Sequence, residues 1–174
     1  MVFVAPQTGS PGAAYEVMRL RPAVRADGAS LRALCAAAAP AELAWLAGGT
    51  MTPAEFARGA GDPAGISLVA QCGEGSCSEL VGLARLCVDP DRIAGEFAVL
   101  VHAHMRGRGI GRLLLDRLLA DCRRRDLVLV RAAALPDNAA MLALARACRF
   151  DLLPAADGTV ELAKSLAPRA EDGR

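Results

Sequence analysis

The stretch at 93–124, IAGEFAVLVHAHMRGRGIGRLLLDRLLADCRR, constrains this chain more than any other. An apolar run ends, three glycines and three arginines with Ile110 among them fill positions 106–112, and a leucine-rich segment begins. Apolar residues at 110, 113, 114, 115, 118, 119 and 122 form the broad stripe of a helix buried on one side. A helix start leaves backbone N–H groups without intrahelical partners, and the aligned peptide dipoles make that end positive. Gly107, Gly109 and Gly111 permit a tight turn and close approach of a ligand to the backbone. Arg106, Arg108 and Arg112 add charge, and Arg106 can donate a bidentate pair of bonds. The pattern predicts a strand, an anion-binding turn of diphosphate size and a helix.

Two other phosphate loops are excluded. No Lys-Ser/Thr pair follows the glycines, so this is not a P-loop. Gly111 comes too early for G-x-G-x-x-G, and the region about twenty positions on reads LVLVRAA, without a ribose-binding acid. The bland alternative is a plain strand-to-helix loop whose arginines face water.

The rest of the chain supplies a sheet around this unit. Residues 1–14 carry Pro, Gly and Ser and read as a loose lead-in. YEVMRLR (15–21) alternates as a strand, and Pro22 closes it. Asp27 stands where it would cap a helix over SLRALCAAA. Short helices are expected at 41–47 and from Thr52-Pro53 onward. ISLVAQC (66–72), LVGLARLCV (80–88) and IAGEFAVLV (93–101) read as three antiparallel strands, the first two a hairpin. A helix over about 109–124, a buried strand at 127–135, a helix over about 139–148 and a final strand pair follow, and PRAEDGR is a loose tail. The expected architecture is α/β (α+β): one domain over 15–166, with a mixed, mostly antiparallel sheet of six or seven strands flanked by helices.

The charges nearly cancel, at 20 basic against 19 acidic. That balance argues against nucleic acid as a partner. No apolar run is long enough to span a bilayer, and MVFVAPQTGSPG lacks the regions of a signal peptide, so no membrane and a cytoplasmic location are expected. The six cysteines sit singly, mostly in apolar runs, and read as buried thiols. A bridge between Cys72 and Cys77 across GEGS is the lesser reading. His102-x-His104 lacks a third ligand, so no metal is expected.

Arg106-x-x-Gly109-x-Gly111 between an apolar strand and an apolar helix resembles the acyl-CoA signature of the GNAT acetyltransferases, Gln/Arg-x-x-Gly-x-Gly/Ala. PDNAAMLALARACRF (136–150) resembles the family's later segment, with Asn138 and Phe150 in place. The resemblance covers about 15–166 and is strongest at 93–150. EFAVLV joined to RGRGIGRLLLDRLL is most similar to the catalytic domain of bacterial protein-lysine acetyltransferases. It implies acetyl-CoA as co-substrate. The pyrophosphate would lie on the backbone of Arg106, Gly107, Arg108, Gly109, Ile110, Gly111 and Arg112. The pantetheine arm would run past Val99, Leu100 and Val101 toward Asn138, between splayed strands 93–101 and 127–133. Asn138 in Pro-Asp-Asn serves equally well as a turn and helix cap.

Acetyl transfer to an amine needs a proton acceptor, a polarised carbonyl and a leaving thiolate. Glu96 is the only carboxylate in IAGEFAVLV, and it shares a strand face with Ala94 and Ala98, where there is room. Partial burial would raise its pKa toward a useful value. The resemblance also implies a general base at this position; a surface glutamate at a strand start is the alternative. Two residues depart from the family pattern. Ala145 stands where many members have a tyrosine that protonates the thiolate, and Arg149 replaces a glycine before Phe150. Trp45 and Glu42, in the early helices, are candidates for the acceptor side. That region lacks the converging charges a small charged metabolite needs, which favours a protein amine, above all a lysine. The rivals are a small-molecule amine acetyltransferase and a non-catalytic CoA-binding sensor or interaction module. The chain is expected to act as a monomer or a homodimer.

Overall fold

In the computed structural model, residues 2–6, 15–38, 65–73, 75 and 78–166 are described. Among them eight strands form one sheet in the order β1-β2-β3-β4-β5-β6-β8-β7. The strands are β1 (Val2–Pro6), β2 (Tyr15–Pro22), β3 (Gly65–Cys72), β4 (Glu79–Val88), β5 (Ala94–Val101), β6 (Leu129–Ala134), β7 (Asp151–Pro154) and β8 (Val160–Ser165). The helices are α1 (Gly28–Ala36), α2 (Ile110–Arg124) and α3 (Ala139–Ala147). All neighbours pair antiparallel except β5 and β6, which the α2 crossover makes parallel. This is the mixed, mostly antiparallel architecture that the order of apolar runs and turns predicts. Among the described residues no helix is long and apolar enough to cross a membrane.

Two expectations need correction. Val2–Pro6 is no loose lead-in: it pairs with β2, Val2 opposite Arg19 and Pro6 opposite Tyr15, and so takes the sheet past seven strands. VFVAP is too short for a clear alternation, and its pairing partner lies outside the segment itself. Asp27 precedes α1 as expected, but its carboxylate does not cap the helix. It accepts from Arg21 Nη1 and Nη2, both at 2.7 Å, and from the Val24 N–H at 2.8 Å. A bidentate guanidinium outcompetes a lone backbone donor. The expected helices at 41–47 and from Thr52, with Trp45, Glu42 and Cys77, lie outside the described residues. Cys35, Cys122 and Cys148 are buried free thiols, while Cys87 is half-buried.

The sheet separates two apolar clusters. The larger joins α2 and α3 to one face through Phe97, Ile110, Leu114, Leu115, Leu118 and Leu142. Gly82 lets α2 lie close, since a Cβ there would stand 2.9 Å from Leu114 Cδ1. The smaller joins α1 to the other face through Leu31, Leu34, Val69, Leu83, Ala98 and Leu100. Leu114, Leu115 and Leu118 are 0% exposed. Each contributes about 2 kcal/mol of burial, which holds α2 in place however its start is satisfied.

Candidate active site

The parallel pairing of β5 and β6 is short. It runs through Ala94–Leu129, Gly95–Val130 and Glu96–Arg131 and then stops. β5 continues to Val101, still paired with β4, and β6 continues to Ala134, paired with β8. Between them opens a fork whose β5 edge, among the described residues, carries backbone groups without a strand partner. Val99 and Val101 are half-buried on the α2 face, while Leu100 packs into the α1-side cluster. All three can offer only backbone groups to an arm in the fork.

The glycine turn lies beyond the open end of β5. Gly107 has φ 74° and Gly109 φ 79°, the left-handed region that favours glycine. A Cβ built at either would meet nothing within 4 Å, so conformation, not crowding, selects glycine, and the space outside is open. Gly111 is different: its Cβ would make ordinary contact with Leu144 and Val101 at 3.5 and 3.7 Å. Gly109 precedes α2 without a side-chain cap. The first intrahelical bond is Leu113 N–H to Gly109 O, 3.0 Å. The N–H groups of Ile110, Gly111 and Arg112 come before it, at the positive end of a 15-residue helix.

The three arginines divide. Arg106 Nε donates to the Val101 carbonyl at 3.2 Å, tying the turn to the strand end. Arg108 is half-buried within the turn. Arg112 pairs with Asp116 at 2.9 Å, one turn along α2, so the structure directs its charge along the helix. Ile110 is 1% exposed, a core side chain whose N–H alone can serve a ligand. Asn138 is the α3 cap: its Oδ1 accepts from Met141 N–H at 3.1 Å. Ala145 is buried on the core-facing side of α3. Arg149 takes φ 59° and ends α3 as glycine would, with Phe150 N–H bonding Ala145 O at 3.0 Å.

Glu96 is the last paired residue before the fork. It shares its face with Ala98 and Leu100, toward α1, and is half-buried. Burial raises its carboxyl above the ordinary carboxylate range; the Arg131 charge pulls it back and the Asp89 charge pushes it up. Cys87 stands opposite on β4 and Arg131 in register on β6. Arg131 Nη2 bonds Asp89 Oδ2 at 2.9 Å. Arg85, 8% exposed, lies across from Ala98. These charged neighbours escaped the sequence reading. The signal was there: Arg131 interrupts an otherwise apolar strand, and Arg85, Cys87 and Asp89 recur with period two. The His102 and His104 rings lie 4.1 Å apart, and among the described residues no third ligating side chain joins them.

A parallel strand pair that parts beside a glycine-rich helix start is the arrangement of a CoA-dependent acyltransferase. Residues 34–150 match the Acetyltransferase (GNAT) family model, and the chain belongs to that family. Solved structures agree on the fold. The GNAT domain of S. lividans PAT has a TM-score of 0.71 at 20% identity, covering 95% of this chain and 96% of that one. YncA from Salmonella typhimurium, described as a putative acetyltransferase and solved with acetyl-CoA, has 0.68 at 23%, covering 88% and 96%. A ribosomal-protein-alanine N-acetyltransferase from Brucella melitensis has 0.64 at 26%, covering 85% and 99%.

Proposed function

We propose that this chain transfers the acetyl group of acetyl-CoA to a primary amine on a protein, a lysine side chain above all, with Glu96 as general base. The fork carries the reading: it begins at Glu96 and opens toward the uncapped start of α2. Acetyl-CoA, when bound, supplies an activated thioester carbonyl. The residues present suit it. The N–H groups of Ile110, Gly111 and Arg112 can hold the pyrophosphate, with Gly107 and Gly109 leaving room and Arg106 and Arg108 adding charge. The open edge of β5 at Val99–Val101 can bond the amide-rich arm, and Asn138 stands at the start of α3.

Glu96 takes the proton. A lysine ammonium has an ordinary pKa of about 10.4, so at neutral pH it must be deprotonated before attack. A half-buried carboxylate with a raised pKa is a stronger base than an exposed one. The thiolate leaves at an ordinary pKa of about 8.5 and can take its proton from water, which fits a buried Ala145 in place of a phenol. The Brucella structure, named a ribosomal-protein-alanine N-acetyltransferase, supports a protein rather than a small molecule as acceptor. The buried free thiols suit a reducing cytoplasm.

The test is label transfer from radiolabelled acetyl-CoA, offered a protein mixture in one arm and a panel of small amines in the other. Glu96→Gln should cut transfer to protein about a hundredfold while CoA binding persists. Label on small amines alone would move the acceptor class. Transfer undiminished by Glu96→Gln would remove the base.

A further inference from the structure

Glu96 stands in a charged neighbourhood that explains how its carboxylate stays a base. On its sheet face β4 and the turn after it bring Arg85, Cys87 and Asp89, and β6 brings Arg131. Above this face α1 buries Leu31, Leu34 and Cys35, and its Arg32 is exposed. An arginine in register with a half-buried carboxylate would ordinarily ion-pair with it. Such a pair would stabilise the charged form and cover the oxygens an incoming amine must reach. The structure has another arrangement. Arg131 Nη2 donates to Asp89 Oδ2 at 2.9 Å. Asp89 is itself fixed, its N–H donating to Ala94 O at 2.9 Å across the β4–β5 turn. That same turn places Asp89 two positions from Cys87, the residue opposite Glu96.

We propose that Asp89 is a positioning residue that detains Arg131 and so leaves the Glu96 carboxylate open to the acceptor amine. The proposal rests on Glu96 being the base. Arg131 keeps a second effect from where it is held: its charge opposes the upward push of burial on the Glu96 carboxyl. Asp89 damps that charge without cancelling it. The opposite senses in which the two charges move Glu96 agree with this balance.

The arrangement is tested by titrating Glu96 directly in the whole protein. Glutamate labelled with ¹³C at the carboxyl carbon is followed by NMR, the Glu96 signal being assigned by its loss in Glu96→Gln. Asp89→Ala should lower the Glu96 pKa, because Arg131 is released to it. Arg131→Met should raise it. The double variant should return above Asp89→Ala. Acetyl transfer from acetyl-CoA to the protein mixture should fall about tenfold in Asp89→Ala and recover to within about threefold of wild type in the double variant. A residue needed only for the turn gives no such recovery. Asp89→Asn keeps an acceptor for Arg131 and the turn, and moves the Glu96 pKa the same way by less. A Glu96 signal unmoved in both Asp89 variants, or a double variant as slow as Asp89→Ala, overturns the proposal. Full transfer by Glu96→Gln overturns the base reading and this proposal with it, whereas loss there with an unmoved titration sinks the proposal alone.

Discussion

The starts of α2 and α3 solve one problem in opposite ways. Both helices follow a strand, and both must satisfy N–H groups that no turn of helix can reach. At α3 the chain does so itself, with Asn138 Oδ1 on the Met141 N–H. At α2 it does not: Gly109 has no side chain to offer, and left-handed glycines hold the turn open. The far ends are alike. Each closes with the same pair of bonds around a left-handed residue, Asp126 after α2 and Arg149 after α3. Difference confined to one end separates structure from function. A helix fixed by buried leucines can leave its N–H groups for a ligand. A helix of nine residues with a smaller buried face benefits from its own cap.

The contrast can be broken most directly at α2. Gly109→Val puts a β-branched side chain at φ 79° and fills the open space before the helix. CoA affinity should drop about a hundredfold, or about 2.8 kcal/mol, by calorimetric titration. Unchanged affinity would mean that the turn binds nothing. Asp27, before α1, offers a third kind of start. Its carboxylate faces back to Arg21 and Val24, and the Arg21 charge and hydrogen bond hold it below the ordinary carboxylate range. Asp27→Ala should cost about 2 kcal/mol in denaturant unfolding, less than a fully buried pair because Arg21 is partly exposed. The sign follows from the lowered pKa. The stabilisation is complete above an unfolded pKa of about 4 and is lost as pH falls through the folded value, so the gap between wild type and variant closes in acid.

Asn138→Ala should cost about 1 kcal/mol, and Asn138→Asp should restore the cap. Stability restored while CoA affinity stays reduced would assign the amide a second role on the pantetheine arm. The smallest effect is expected at the far end of α3. Arg149→Gly should stabilise by about 0.5 kcal/mol, because glycine takes φ 59° without the penalty of a side chain. Lys164 Nζ, which bonds the Arg149 carbonyl at 3.0 Å, should be undisturbed. A lower melting temperature would mean that the Arg149 side chain has a partner worth more than the strain.

Much of this was legible beforehand because it is local. A period of 3.6 residues over 110–122, and apolar runs bounded by turn residues over 80–101, place α2, β4 and β5 without any knowledge of their neighbours. The glycines announce a turn for the same reason. Asp27 misled because a cap and an ion pair use the same residue at the same distance from a helix, and only Arg21, six positions back and on another element, separates them. β1 was missed for a related cause. Five residues carry too little pattern, and β2 supplies the reason they extend.

Sequence alone determined the order of the described strands and helices after β1, the glycine turn and the carboxylate on β5, since each depends on residues within a few positions of one another. Tertiary structure alone decided that the β5–β6 pairing stops at Glu96 and that Asp89 reaches Arg131, 42 positions away. Pairing length and ion-pair partners are set by distances between segments far apart in the chain, and no local pattern of residues encodes them.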